Sequence, residues 1–169
     1  AVMLLGKYEL PEAQGAVIRA LEDPAPEVRR AAVIAAMDWR YEMPPPAAEA
    51  LLRRLADDDL EVRRDVSAML PLLVTQAQTA SLMRGRGMAL DPALRRLIEA
   101  SFADPDAFVR ENLLDAFSLL QVELTPARWL ALAEDEAPGV RRRALPLAAQ
   151  RLDLDTLLPV LRRWATAEA

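Results

Sequence analysis

The chain has 169 residues, a formal net charge of −5 and neither cysteine nor histidine. These absences exclude disulfides and thiolate metal sites and remove the commonest general base, so we expect a non-catalytic protein with no cofactor and no metal. The negative charge disfavours a general affinity for nucleic acid, and no apolar run reaches transmembrane length, so no membrane contact is expected. With 53% hydrophobic but only 5% aromatic residues, the composition favours close-packed helices over sheets.

Residues 1–8 are predicted to form the end of an apolar helix whose beginning is missing. The chain also opens with Ala1 instead of an initiator methionine. We therefore expect a fragment of a longer chain, and a cytoplasmic location is the default assignment.

Pairs of helices are predicted along the rest of the chain. Each first helix but the last opens at a proline, where the missing N–H costs nothing, and each second helix follows an acidic turn. The interval from this proline to a valine on the second helix is 17 residues from Pro11 to Val28, from Pro45 to Val62 and from Pro92 to Val109, and 14 from Pro126 to Val140. The chain thus divides into a truncated repeat at 1–8, repeats at 9–43, 44–90, 91–124 and 125–153, and a terminal helix at 154–169. Asp155 is the expected N-cap of that terminal helix.

A short motif recurs at the turns between paired helices. Its copies read LEDPAPEVRR at 21–30, LADDDLEVRR at 55–64, FADPDAFVRE at 102–111 and AEDEAPGVRR at 133–142. In each, an Asp stands five residues before a Val-Arg pair. This pattern, followed by small residues on a second helix, resembles the HEAT repeat, in particular the short bacterial form also found in bilin-lyase-like proteins. The resemblance covers nearly the whole chain and implies an all-α fold, an α-solenoid of about four to five helical hairpins.

The resemblance also implies a role for the arginine of each Val-Arg pair. It would reach the Asp of its own or the neighbouring turn, so that a structural ladder of paired charges joins the repeats. The ladder would consist of Asp23, Arg29, Asp57, Arg63, Asp104, Arg110, Asp135 and Arg141. The alternative is that the four arginines form an anion-binding row.

The residues directly after the ladder arginines are the candidates for binding. Arg30, Arg64, Glu111 and Arg142 should lie on the exposed side of the second helices, which in HEAT-like solenoids line the concave surface. Trp39 and Arg40 extend this candidate site, since Trp39 is the tryptophan expected to be most exposed, although core packing is the preferred interpretation for it. Glu111 interrupts the basic row and counts against a continuous nucleic-acid track.

Two further features have competing interpretations. The acidic clusters at the turns could bind metal, but helix capping is the better interpretation of acids at helix starts. The stretch 75–90 holds extra residues, and its arginines Arg84 and Arg86 are assigned to a loop that either binds a partner or is a tolerated insertion.

The leading hypothesis for function is a scaffold that binds a protein or peptide on its concave face. The alternatives are nucleic-acid binding, as in proteins that resemble HEAT-like alkylpurine DNA glycosylases, and an accessory or regulatory domain of a larger enzyme. Weak self-association through the exposed ends of the array is also expected.

Overall fold

The computed structural model describes residues 11–39, 43, 45–84, 92–120 and 122–167. Over these residues the chain forms nine α-helices, two 3₁₀ turns and no strand. The helices are α1 (Pro11–Ala20), α2 (Pro26–Ala36), α3 (Pro45–Arg53), α4 (Leu60–Arg84), α5 (Pro92–Ser101), α6 (Ala107–Ala116), α7 (Pro126–Ala133), α8 (Pro138–Ala149) and α9 (Leu154–Ala167), and the 3₁₀ turns are Arg54–Ala56 and Phe117–Leu119. The predicted helix at 1–8, Arg40 and Arg86 lie outside the described residues.

The helices stack as two parallel rows. Among the first helices, α1 contacts α3, α3 contacts α5 and α7 contacts α9; among the second helices, α2 contacts α4, α4 contacts α6 and α6 contacts α8. Each second helix also packs on its own first helix, as α8 does on α7. Contacts that run between neighbouring hairpins in this way define an α-solenoid, so the predicted fold class is confirmed.

The core lies between the two rows of helices. Four residues after the motif valine, each second helix buries a small or branched side chain completely: Ala32, Val66, Leu113 and Ala144. On the first-helix side the fully buried residues include Leu21, Leu55 and Phe102, each two residues before a turn aspartate. Phe117 joins Phe102 and Trp129 in edge-to-face ring contacts with centroids 5.9 and 4.8 Å apart. Trp129 therefore packs in the core.

The second helices begin in two different ways. The second helices α2 and α8 begin at Pro26 and Pro138 and have no side-chain cap, because the residues at their N-cap positions, Ala25 and Ala137, carry no side-chain acceptor. The second helices α4 and α6 instead use aspartate: Asp59 accepts from the Val62 N–H at 3.0 Å and Asp106 from the Val109 N–H at 3.3 Å.

Two predictions about helix ends were wrong. The terminal helix α9 begins at Leu154, and its cap is Asp153, which accepts from the Thr156 N–H at 2.8 Å; Asp155 lies inside the first turn. Arg84 belongs to α4, which runs through Pro71 and ends at Arg84, so this residue is helical and not part of a loop.

Candidate functional site

A row of arginines joins the turns of successive hairpins. The guanidinium of Arg29 donates to both carboxylate oxygens of Asp57 in the next turn, from Nε at 2.8 Å and from Nη2 at 2.6 Å. Its Nη1 turns back to its own turn and donates to the carbonyl oxygens of Asp23 and Pro24 at 3.0 and 3.1 Å. One side chain thus fixes the backbone of one turn and the carboxylate of the next.

Arginine–aspartate pairing recurs in the following two hairpins, through one N–H group of Arg63 and two of Arg110. Arg63 donates from Nε to Asp104 at 2.8 Å and from Nη1 to the carbonyl oxygen of Asp57 at 2.9 Å. Arg110 donates from Nε and Nη2 to the two oxygens of Asp135, both at 2.7 Å, and from Nη1 to the carbonyl oxygen of Asp104. Paired guanidinium N–H groups match the spacing of a carboxylate, which makes each contact directional as well as charged.

Each ladder aspartate also closes its own turn. One carboxylate oxygen of Asp23, Asp57, Asp104 and Asp135 accepts from the backbone N–H two residues later, at 2.8 to 3.0 Å. This local bond holds the carboxylate in place before the arginine reaches it.

Arg141 occupies the same position in its turn as the other ladder arginines, but its guanidinium has a different partner. Its Nη1 donates to the carbonyl oxygens of Asp135 and Glu136, both at 2.8 Å. Among the described residues no carboxylate side chain binds it, and it meets the indole of Trp164, whose ring centre lies 3.8 Å from the guanidinium carbon. Trp164 is itself fixed by a bond from its Nε1 to the carbonyl oxygen of Ala133 at 3.1 Å.

The predicted binding residues Arg30 and Arg64 lie on the exposed side of the second helices but are ion-paired. Arg30 bonds to Asp65 at 2.6 Å, and Arg64 bonds to Asp106 at 2.7 Å and to Glu61 at 3.0 Å. Their positive charge is therefore largely offset by carboxylates of the same face.

One member of this row, Glu111, has the opposite charge. Glu111 occupies the position of Arg30 and Arg64, and it accepts an ion pair from Arg143 at 2.9 Å, which also bonds to Asp115 at 2.8 Å. Arg142 is exposed and has no ion-pair partner among the described residues. We call Arg30, Arg64, Glu111 and Arg142 the outer row.

Trp39 does not belong to an exposed site. Its side chain is only 3% exposed and packs in the core cluster. The binding role considered for it is therefore wrong, and core packing, the preferred interpretation, holds. It shares this cluster with Met43 and Ala47, which are also buried.

Sequence reasoning missed Glu61, Asp65 and Arg143, which complete the ion pairs of the outer row. Glu61 lies three residues before Arg64 on one helical face, whereas Asp65 and Arg143 reach Arg30 and Glu111 from the neighbouring second helix. The spacing of Glu61 and Arg64 was the available signal. The stacking of Trp164 on Arg141 had no such signal, because the two residues are 23 positions apart in the printed sequence.

Two carboxylates in these networks have a lowered pKa. Burial alone would raise the pKa of Asp57, but hydrogen bonds from Arg29 and from the Asp59 N–H outweigh it and lower the pKa below its ordinary value. The hydrogen bond from Arg64 is the main reason that the pKa of Asp106 is lowered. Both acids are therefore held in the charged form that their arginine partners require.

The described residues contain neither a group of three acidic side chains suited to hold a metal ion nor a helix long and apolar enough to cross a bilayer. A family model described as HEAT repeats matches residues 1–70. No curated protein matches the chain. The matched stretch includes the first two turns, and the same turn and arginine geometry continues to Asp135.

Proposed function

We propose that this chain, a HEAT-repeat protein, is a non-catalytic scaffold that binds a protein or peptide segment on the exposed face of its second helices. HEAT repeats are generally protein-interaction scaffolds, and such arrays present long continuous surfaces. The observation that carries the proposal is the composition of this face: mixed charges that are mostly paired with one another, beside an exposed aromatic ring.

The aromatic ring is that of Phe108, which is 49% exposed. It stands three residues before Glu111 on α6 and therefore points to the same side of the helix. Exposed aromatic side chains bury large apolar area on contact and are enriched among residues that dominate binding energy. We infer that Phe108 is the anchor of the contact and that Arg142 supplies a charged contact to an acid of the partner.

Nucleic acid is the less favoured partner. A phosphate would have to displace Asp65 from Arg30 and Asp106 from Arg64, at distances of 2.6 and 2.7 Å. The remaining carboxylates of the face, including Glu111 and Asp115, would repel the backbone of a polyanion. A partner with both charge signs and an apolar side chain fits this surface better.

Capture of partners from a lysate of the source cells tests the proposal. The bait is the whole chain, and the site variant combines Phe108→Asp with Arg142→Glu, because neither side chain is needed by the ladder. Arg53→Glu is the matched control: Arg53 is exposed but lies on the first helix α3. A captured protein that is lost with the site variant and kept with the control supports the proposal.

Two results would contradict it. Equal capture by the site variant and by the control would show that the partner does not bind the exposed face of the second helices. Saturable binding to a labelled DNA or RNA duplex that weakens steeply with salt and is lost with the site variant would replace the protein partner with nucleic acid.

A further inference from the structure

A cleft that opens to solvent lies between the hairpin of α5 and α6 and the hairpin of α7 and α8. Its volume is about 380 Å³, which is within the range of cavities that bind small molecules. Three buried apolar side chains line it, those of Phe117, Val122 and Trp129. None of its lining residues belongs to the ladder or to the outer row, so the cleft is separate from both.

Arg151 supplies the positive charge in this cleft. Its guanidinium carbon lies 4.6 Å from the ring centre of Phe117 and 5.2 Å from that of Trp129. Its Nη1 donates to the carbonyl oxygen of Leu147 at 2.8 Å. Among the described residues no acceptor bonds to Nε or Nη2, a pair of donors with which an arginine matches a carboxylate. The guanidinium is therefore held in place and keeps two donors for a ligand.

The connection between α6 and α7 adds backbone donors to the same cleft. Val122, Glu123 and Leu124 line the cleft and lie outside any helix. Within the part of the chain that the structure describes, no acceptor bonds to the backbone N–H groups of these three residues. A ligand with acceptor oxygens would satisfy donors that the fold leaves unpaired.

The charges of the cleft favour a ligand with one negative charge. Arg151 faces a single acid among the lining residues, Glu123, which is exposed. Its carboxylate would repel a second negative charge on the ligand, and this disfavours a phosphate or a dicarboxylate. The apolar wall offers contact area to a ring or an aliphatic group instead.

We propose that this cleft binds a monocarboxylate that has an apolar body. The carboxylate binds the unpaired donors of Arg151 and of the connection between α6 and α7, and the apolar body packs against the wall formed by Phe117, Val122 and Trp129. Two sources carry this chemistry, the free C-terminal residue of a peptide and a small organic acid. The site is additional to the contact proposed for the exposed face of the second helices.

N-acetylphenylalanine is a suitable probe, because it joins one carboxylate to one apolar ring. Its matched control is N-acetylphenylalanine amide, which has nearly the same shape but no charge. Binding is followed through the backbone amide signals of Val122, Glu123 and Leu124 in proton–nitrogen NMR spectra of the whole chain. The protein variants are Arg151→Met, which keeps an unbranched side chain without its N–H donors, and Arg142→Met, which makes the same change on α8 outside the cleft.

We expect the acid to shift these amide signals saturably and the amide to bind roughly tenfold more weakly, the loss expected when a charged hydrogen bond is removed. Arg151→Met should weaken the acid to the level of the amide, whereas Arg142→Met should leave the difference unchanged. Because the acid and the amide are compared on the unaltered chain, that comparison does not depend on how a protein variant folds.

An acetylated peptide Gly-Ser-Gly-Phe with a free C-terminus distinguishes the two sources of the ligand. Its first three residues add backbone groups that a single amino acid lacks. Tighter binding of the peptide than of N-acetylphenylalanine assigns the cleft to the end of a peptide chain, and equal or weaker binding assigns it to a small acid. Both outcomes support a site for an apolar monocarboxylate.

Three results would overturn the proposal. The first is the absence of shifts at residues 122–124, and the second is equal binding of the acid and the amide. The third is binding of the acid that Arg151→Met leaves unchanged in a variant whose spectrum shows a folded chain. Failure of the capture experiment with Phe108 and Arg142 would leave this site unaffected, because neither residue lines the cleft.

Discussion

Arg63 and Arg64 are adjacent and chemically identical, yet the structure gives them different environments. Arg63 has a side chain that is 14% exposed, bonds to an aspartate of the next turn and to a carbonyl of its own, and belongs to the ladder. Arg64 has a side chain that is 38% exposed, and it bonds to the side chains of Asp106 and Glu61 in solvent. Burial, and not the number of contacts, separates the two, because water screens the exposed pairs and cannot reach the buried ones.

The ladder is therefore a structural row, whereas the residue type at the outer row varies between hairpins. The ladder uses the same residue type in every turn from Asp23 to Asp135, since a buried charge without its partner is costly. The outer row carries arginine at Arg30 and Arg64 but glutamate at Glu111. The ion pair between helices is kept, because Arg143 stands where Asp65 stands two hairpins earlier and supplies the opposite charge.

Removal of a ladder carboxylate should have the largest effect on stability. Asp57→Ala leaves the buried guanidinium of Arg29 without its main partner, and we expect the free energy of unfolding to fall by about 3 kcal/mol. Asp58→Ala is the matched control: Asp58 touches the same guanidinium, but its side chain is 92% exposed, against 1% for Asp57. It should cost less than about 0.5 kcal/mol. Urea unfolding monitored by circular dichroism measures both, and similar losses would show that burial does not decide the energy.

Removal of a ladder arginine should be less costly, because the carboxylate that remains keeps its bond to its own turn. For Arg63→Ala we expect a loss of about 1–3 kcal/mol. The carboxylate of Asp104 would still accept from the Asp106 N–H at 2.8 Å. A loss for Arg63→Ala that exceeds the loss for Asp57→Ala would mean that the carbonyl contacts of the arginine, and not the aspartate, stabilise the turn.

Acid should weaken the stack through the aspartates with a lowered pKa. For Asp57 and Asp106 the folded-state pKa lies below the ordinary value of an aspartate, so the charged form is favoured by folding. Their contribution is fully present above the unfolded-state pKa and is lost as the pH falls through the folded-state pKa. Unfolding in urea should therefore change little between pH 7 and about pH 5 and become easier below about pH 4. In the combined variant Asp57→Asn/Asp106→Asn, the free energy of unfolding should change less with pH. If it changes with pH as steeply as in the parent chain, these two acids are not the cause of the acid sensitivity.

The smallest expected effect concerns Gly139, where the outer row meets the start of α8. A Cβ on this residue would overlap the carboxylate of Glu111, which occupies the space beside the glycine. Alanine normally stabilises a helix position relative to glycine by about 0.5–1 kcal/mol. We expect Gly139→Ala to gain nothing in the parent chain and to gain about 0.5 kcal/mol in a Glu111→Ala background. Thermal unfolding of the four proteins measures this, and a gain of equal size in both backgrounds would show that Glu111 moves aside freely.

The sequence predicted the fold and the partners of the ladder more fully than the surface. Repetition of Asp and Val-Arg at matched spacing is a local signal, and it predicted only that each arginine reaches the Asp of its own or the neighbouring turn. Arg29 and Arg110 bond to the neighbouring one, at Asp57 and Asp135. The division of the chain into repeats at 9–43, 44–90, 91–124 and 125–153 stays a prediction.

The surface was harder to predict because it depends on distances between hairpins. Arg30 and Arg64 were predicted to be exposed binding residues, and the structure pairs them with Asp65 and Asp106 of neighbouring hairpins. Trp39 was considered for an exposed role because it stands among polar residues, but its side chain is buried in the core. Neither the separation of two hairpins nor the path of a connecting segment can be obtained from helical spacing.

Two double-mutant cycles measure the difference between the rows most directly. One cycle pairs Arg110→Ala with Asp135→Ala in the ladder, and the other pairs Arg64→Ala with Asp106→Ala in the outer row. From urea unfolding of the single and double variants, we predict a coupling energy of about 2 kcal/mol or more for the ladder pair and below about 1 kcal/mol for the exposed pair. Equal couplings, or a stronger coupling between Arg64 and Asp106, would contradict the assignment of the ladder as the structural row.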